Sequence, residues 1–202
     1  MRVFVAIELP EAWRDAARSV RREIEGGLDD DARARLRWVD PSLLHLTLRF
    51  IGEVDQQRAT TISEALDAMA VTKPIDVALA LTAAGTFGPA GRTQVVWLGI
   101  DGDESGLARL AASVESAVVS SGVRADERDF RPHVTLARVH RRASRTERRA
   151  IAEAVASVAP PAVTAASEFR ARGVALVRSD LGNDGPTYTA LTRTGGGDLP
   201  SG

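Results

Sequence analysis

His45-Leu46-Thr47-Leu48 and His133-Val134-Thr135-Leu136 decide how this chain is read. The chain has three histidines, and two of them open the same H-apolar-T-L tetrad, 88 positions apart. Each tetrad lies in a short apolar run that predicts a β-strand, over residues 43–51 and about 133–139. Side chains on a strand alternate between its faces. His45 and Thr47 therefore share one face, and Leu44, Leu46 and Leu48 the other. His133 and Thr135 stand in the same way against Val134 and Leu136. Each strand offers an imidazole and a hydroxyl on one side and hydrocarbon on the other, which implies a site supplied in equal parts by two halves of the chain.

The text around the tetrads repeats in kind. The β-branched run 3–7 predicts a strand, and residues 94–100 predict its counterpart. Each is followed by a helix: residues 10–26, opened by Pro10 and ended by Gly26-Gly27, and residues 105–121, ended by Gly122. The histidine strand comes next, preceded in the first half by an extended segment at Arg37-Trp38-Val39. Further helices are predicted at 55–70 and at 146–158, the latter with Thr146 as N-cap. Strands follow at 75–81, 163–169, 173–178 and 187–193. The Asp29-Asp30-Asp31 run reads as a polar loop, residues 84–89 as a turn-rich connection with room for a short strand, and residues 183–186 as a turn. Strand, helix, histidine strand, helix, strand thus occurs twice, with an offset of about 90 residues. The late strands joined by short turns point to antiparallel pairing. The expected fold is α+β: a bilobal, pseudo-two-fold duplication in which two antiparallel sheets line a central cleft, with helices outside. One domain spans residues 1–194, its repeats about 1–90 and 91–194, and residues 195–202 form a flexible glycine-rich tail.

Composition narrows the chemistry. With 202 residues, 44% of them hydrophobic, the chain can bury a substantial core. A net charge of −1 gives no global pull toward nucleic acid or membrane. Lys73 is the only lysine, so nearly every cation is arginine, the better fork for phosphate; a codon preference explains the same bias. There is no cysteine, which excludes disulfides, thiolate nucleophiles and cysteine-bound metal. No run approaches the ~20 apolar residues of a membrane helix, and the apolar N-terminus is cut short by Glu8. These features predict a soluble, cytoplasmic, monomeric protein.

Two imidazoles with ordinary pKa values near 6.5 can divide the two proton transfers of an in-line displacement at phosphorus. One removes a proton from the attacking water and the other protonates the departing oxygen. The threonine hydroxyls share the histidine faces and can donate to the non-bridging oxygens. Neither a metal nor another cofactor is required. Arg49 has the parity of His45 and Arg131 that of His133, so both are candidates to bind substrate. His140 lacks the pattern and reads as a surface residue. Phe4, Trp38, Phe87 and Tyr188 could stack on a base or pack in the core, the commoner fate of so few aromatic residues.

The tetrads resemble the paired H-x-T-x motifs of the 2H phosphoesterase superfamily. Their flanks are similar to the RNA 2′,3′-cyclic phosphodiesterases, first named 2′-5′ RNA ligases. The similar pieces are Arg2-Val3-Phe4-Val5-Ala6, Arg37-Trp38-Val39, His45 through Val54, Val96-Trp97-Leu98-Gly99, Phe130 through Arg138, Arg178-Ser179 and Leu181-Gly182. The resemblance implies hydrolysis of a 2′,3′-cyclic phosphate, at RNA ends or on cyclic nucleotides, to a 2′-phosphomonoester. It implies His45 as proton donor to the leaving 3′-oxygen, His133 as proton acceptor from water, and Thr47 and Thr135 as phosphate holders. Arg138 matches an arginine that follows the second motif in that family, although simple alternation puts it on the opposite face unless the strand bulges. The alternatives are a phosphodiesterase or reversible ligase for other cyclic or 2′-5′-linked nucleotides, and an RNA-end-binding module.

Overall fold

A computed structural model describes residues 1–160, 168–182 and 185–195. Nine strands and five α-helices are described: β1 (Arg2–Glu8), α1 (Glu11–Gly26), α2 (Asp30–Arg33), β2 (Leu36–Trp38), β3 (His45–Glu53), α3 (Gln56–Thr72), β4 (Val77–Phe87), β5 (Val95–Gly102), α4 (Glu104–Ser120), β6 (His133–Val139), α5 (Arg145–Ser157), β7 (Glu168–Ala171), β8 (Val174–Gly182) and β9 (Gly185–Thr194). Short 3₁₀ turns occupy Pro41–Leu43 and Ala90–Arg92.

The strands pair antiparallel throughout, in the order β7-β4-β5-β6-β3-β1-β8-β9, with β2 against β6. This is one continuous path of pairings, where two separate sheets were expected. The path is thinnest at its middle. There β3 meets β6, and Leu46 opposite Val134 is the single pair between them. The two histidine strands are thus themselves the joint of the sheet. The pairing also crosses the expected repeat boundary near residue 90. β4 joins β5, whereas β8 joins β1.

One face of the sheet is covered by helices. Val3, Val5 and Ile7 of β1, Leu46 of β3, Leu98 of β5 and Val134 of β6 meet Trp13, Val20 and Ile24 of α1, Ile62 and Leu66 of α3, Val114 and Val118 of α4 and Ile151 of α5 in one continuous core. The spacing 13, 17, 20, 24 gives α1 a single apolar stripe, and that stripe is what it buries. Each fully buried aliphatic side chain contributes roughly 1.5–3 kcal/mol. The other face carries the histidines and a second, small apolar cluster of Phe4, Ala6, Ala175 and Val177, with Tyr188 packed against it. β1 is buried on both faces, which is why it reads as an unbroken apolar run.

Several local expectations change. The acidic run at 29–31 is no loop. Asp29 accepts the N–H of Ala32 and caps the short helix α2. Helix α5 is capped by Ser144 and not by Thr146, because Ser144 and Glu147 form a reciprocal capping box. β4 runs on to Phe87, since residues 84–87 pair with β5. Most of the strand expected at 163–169, part of the turn at 183–186 and nearly all of the tail lie outside the described residues.

Candidate functional site

The tetrads form two nearly identical pieces of structure. The Nδ1–H of His45 donates to the carbonyl of Leu43 at 2.8 Å, and the Nδ1–H of His133 donates to the carbonyl of Arg131 at 2.7 Å. A carbonyl can only accept, so each bond holds its ring in the tautomer with the proton on Nδ1. Nε2 of each neutral ring keeps its lone pair and has no hydrogen-bond partner among the described residues. The hydroxyls of Thr47 and Thr135 likewise make no hydrogen bond within the described protein. At the joint, Leu46 faces Val134 in an antiparallel sense. That direction sets His45 alongside Thr135 and His133 alongside Thr47, so each imidazole has the other strand's hydroxyl for a neighbour.

The fourth residue of each tetrad is a β-bulge. Thr47 pairs with Ala6 and Arg49 with Val5, which leaves Leu48 as the extra residue. Thr135 pairs with Trp97 and Ala137 with Val96, which leaves Leu136 extra. In both strands two consecutive buried residues result, Leu48-Arg49 and Leu136-Ala137. The bulge reverses the alternation beyond it, and this settles the arginines. Arg49 leaves the histidine face and turns to the helix side, where it is only 8% exposed. Its Nε donates to Glu115, its Nη1 to the Phe50 carbonyl (2.6 Å) and to Asp126 (3.3 Å), and its Nη2 to the Arg124 carbonyl (2.6 Å). Every arm is used inside the protein, so the expectation that Arg49 binds substrate is corrected. Arg128, with its own N–H and more weakly Arg49, holds the Asp126 carboxyl at about 2.

The same reversal brings Arg138 onto the histidine face. Its positive charge acts on Tyr188, where it opposes the rise in the phenol's pKa that burial causes. Tyr188 in turn packs edge-on against His45. Arg131 is exposed and precedes the strand. Its carbonyl accepts from the His133 ring. His140 is half-buried at the end of β6, its Nδ1 accepting the Arg142 N–H.

The aromatic residues hold the imidazoles. Phe4 stacks on His45 with ring centres 4.7 Å apart and planes 29° apart, and Tyr188 closes the edge of both rings at 5.2 and 5.4 Å. On the other side Phe87 meets His133 edge-on at 4.8 Å, backed by Trp97 at 5.4 Å from Phe87. Trp97 was not foreseen as part of the site. Its ring lies across Gly85, where a β-carbon would collide with the indole, and a β-carbon on Gly99 would also meet the ring at 3.4 Å. Trp38 pairs with Ala137, on the face away from the histidines, and lies under the Arg21 guanidinium.

Burial pushes the His45 pKa below 6.5, the Leu43 carbonyl opposes this, and the charge of His133 lowers it a little further. The last effect requires the two rings to be near each other. Among the described residues no three His, Asp or Glu side chains converge as a metal cage.

With this geometry in view, the relatives of the chain can be placed. Residues 7–183 match the family described as the 2′-5′ RNA ligase superfamily, and the chain belongs to it. It is 30% identical over 192 residues to a protein of Methanothermobacter thermautotrophicus named RNA 2′,3′-cyclic phosphodiesterase, a match covering 95% of this chain and 96% of that one. Among solved structures, a protein of Thermus thermophilus superposes with a TM-score of 0.74 at 27% identity, covering 96% of this chain and 97% of the other. LigT of Escherichia coli, crystallised with 3′-AMP, superposes at 0.71 with 26% identity and coverages of 96% and 97%.

Proposed function

We propose that this protein hydrolyses RNA 2′,3′-cyclic phosphate ends to 2′-phosphomonoesters by acid and base catalysis from two histidines, without a metal. The observation that carries the reading is the pair of carbonyl clamps on Nδ1. Each leaves one nitrogen, Nε2, to exchange a proton with substrate. Relatives named RNA 2′,3′-cyclic phosphodiesterase, and a structural relative crystallised with 3′-AMP, support the substrate class.

Water attacks the cyclic phosphorus while Nε2 of His133 takes its proton. The bond from phosphorus to the 3′-oxygen breaks, and the Nε2–H of His45 supplies the proton that makes the 3′-hydroxyl. The 2′-oxygen keeps the phosphate. Thr47 and Thr135 donate to the non-bridging oxygens, where charge accumulates, and Arg138 adds a cation on the same face. To act as donor His45 must be protonated before the bond breaks, and the bound phosphate anion favours the imidazolium that burial disfavours. The matched tetrads, bulges and clamps support reading residues 1–194 as one duplicated domain, with the joint between β3 and β6 as its centre.

The test is turnover of an oligoribonucleotide ending in a 2′,3′-cyclic phosphate, in excess chelator, with the product identified as 2′- or 3′-phosphate. His45→Ala and His133→Ala are each expected to lose about 10²–10⁴-fold in kcat while keeping the fold. Loss of activity on chelation, restored by added metal, refutes the mechanism; a 3′-phosphate product refutes the assigned leaving group.

A further inference from the structure

A pocket of about 490 Å³ lies at the end of β6 and adjoins the histidine face, lined by Arg92, Gln94, Val95, Arg138, Arg141 and Arg148 among others. Two residues make the connection. Arg138 acts on Tyr188 beside His45. Val95 pairs with both Arg138 and Phe87, and Phe87 touches His133. The pocket is held in shape by Arg148, which donates to the carbonyls of Thr93, Ala143 (3.0 Å), His140 (3.0 Å) and Arg141 (3.2 Å). It thereby fixes the turn that carries Arg141 without a carboxylate to cancel its own charge.

Positive charge is concentrated around this pocket. Arg18, Arg33, Arg128, Arg170 and Arg193 each pair with a carboxylate. Among the described residues, Arg92, Arg138, Arg141 and Arg148 pair with none, and neither does Arg37, which lies opposite Arg138 across the β2–β6 pairing. Residues 131–149 hold seven arginines and one acidic residue, Glu147, and Glu147 is engaged by Arg35 at 2.7 Å. A chain of net charge −1 therefore keeps a concentrated, uncancelled positive field at one place. Arginine forks set around a concave space match phosphate oxygens.

We propose that this pocket binds backbone phosphates of single-stranded RNA, on the 5′ side of the cyclic end. The proposal rests on the function given above and names its substrate as a polynucleotide end in preference to a free nucleotide. Along β6, His133 and Arg138 are five residues apart, about 16 Å at the usual rise of a strand. A stacked strand advances ~3.4 Å of axis per nucleotide, so the pocket lies a few nucleotides from the reacting phosphorus. Only an oligonucleotide spans both.

The experiment compares wild type with the Arg92→Ala/Arg141→Ala double variant, whose substituted residues are exposed and have no part in the proposed hydrolysis. Three quantities are measured: kcat/KM for a hexaribonucleotide ending in a 2′,3′-cyclic phosphate, kcat/KM for a nucleoside 2′,3′-cyclic phosphate, and binding of a fluorescent single-stranded hexaribonucleotide by anisotropy at several salt concentrations. The wild type should favour the hexamer by about tenfold or more. The double variant should lose that preference, keep mononucleotide turnover, and bind with a log–log salt slope shallower by about 1.4, two contacts at ~0.7 each. Equal wild-type kcat/KM for the two substrates, or a preference and salt slope unchanged in the variant, overturns the proposal. If neither substrate is turned over, the proposed hydrolysis fails and binding alone decides. Weakened, less salt-sensitive binding in the variant then supports the pocket as an RNA site, and identical binding overturns it.

Discussion

Replacing Arg49 by alanine separates a structural arginine from a phosphate-binding one. The guanidinium is 8% exposed and satisfies four acceptors. Removing one partner of a buried ion pair costs about 3–5 kcal/mol, because the charge left behind has lost its compensation. Here the carboxylates of Glu115 and Asp126 keep 28% and 21% of their side-chain exposure, so they rehydrate in part. The Asp126 carboxylate also retains Arg128 at 2.7 Å. The lower end applies, about 3 kcal/mol. In a domain of this size each kcal/mol shifts Tm by about 2–4 °C, so the fall should be about 6–12 °C by thermal denaturation. Arg49→Lys should recover little of it, since one ammonium cannot span two carboxylates and two carbonyls. At a temperature where the variant is folded, kcat/KM for a cyclic-phosphate substrate should stay within about threefold of wild type, as expected when no transition-state contact is lost. A Tm equal to wild type together with a loss of about 100-fold or more in kcat/KM would return Arg49 to the phosphate site and refute the bulge argument.

The donor and acceptor roles can be read with a substrate whose 3′-bridging oxygen is replaced by sulfur, a leaving group that needs no proton. His45→Ala should recover turnover on it and His133→Ala should not; the reverse pattern exchanges the roles. Stability should depend on pH through His45. Folding disfavours its imidazolium, so the unfolded chain binds the extra proton. Tm should be flat above about 6.5 and fall as pH drops through the lowered folded value, and His45→Gln should flatten that step; an identical step in the variant assigns it elsewhere. Below about 4.5 a further loss is expected as Glu147 and Asp126, both held at about 2, are protonated. In Gly85→Ala the new β-carbon would collide with the Trp97 ring, which must move and carry its contact with Phe87 along. Overpacking of this kind costs about 1–3 kcal/mol. kcat should fall through displacement of the Phe87 edge from His133, and unchanged kcat with Trp97 fluorescence as in wild type would show that the ring does not position the histidine.

How far the site was legible follows from where each residue's orientation is decided. His45, Thr47, His133 and Thr135 were readable because parity within a tetrad is a property of one strand. Arg49 and Arg138 were not, because their parity depends on whether the neighbouring strand advances one residue or two at Leu48 and Leu136. That is fixed between β1 and β3 and between β5 and β6, and leucine has no local signature of a bulge. The sequence held one indirect sign. Leu136-Ala137 puts two apolar residues side by side where alternation calls for one, and both are buried. In β3 the matching position is an arginine, so the sign is masked by a side chain that looks like a ligand for phosphate. The sheet order was hidden for a related reason. The chain's order suggested repeats meeting near residue 90, yet β4 pairs forward with β5 and β8 returns to β1. Both crossings leave β3 and β6 as neighbours, and only that adjacency places one imidazole beside the other strand's hydroxyl. The tetrads supply the chemical groups. The bulge after each threonine lets the strand keep its histidine and threonine outward while the next two residues, Leu48-Arg49 or Leu136-Ala137, anchor it to the core. A one-residue deletion at Leu48 would therefore do more than shorten β3. It would turn Arg49 toward the histidine face, strip Glu115 and Asp126 of their partner, and change the site's charge and the fold's stability together.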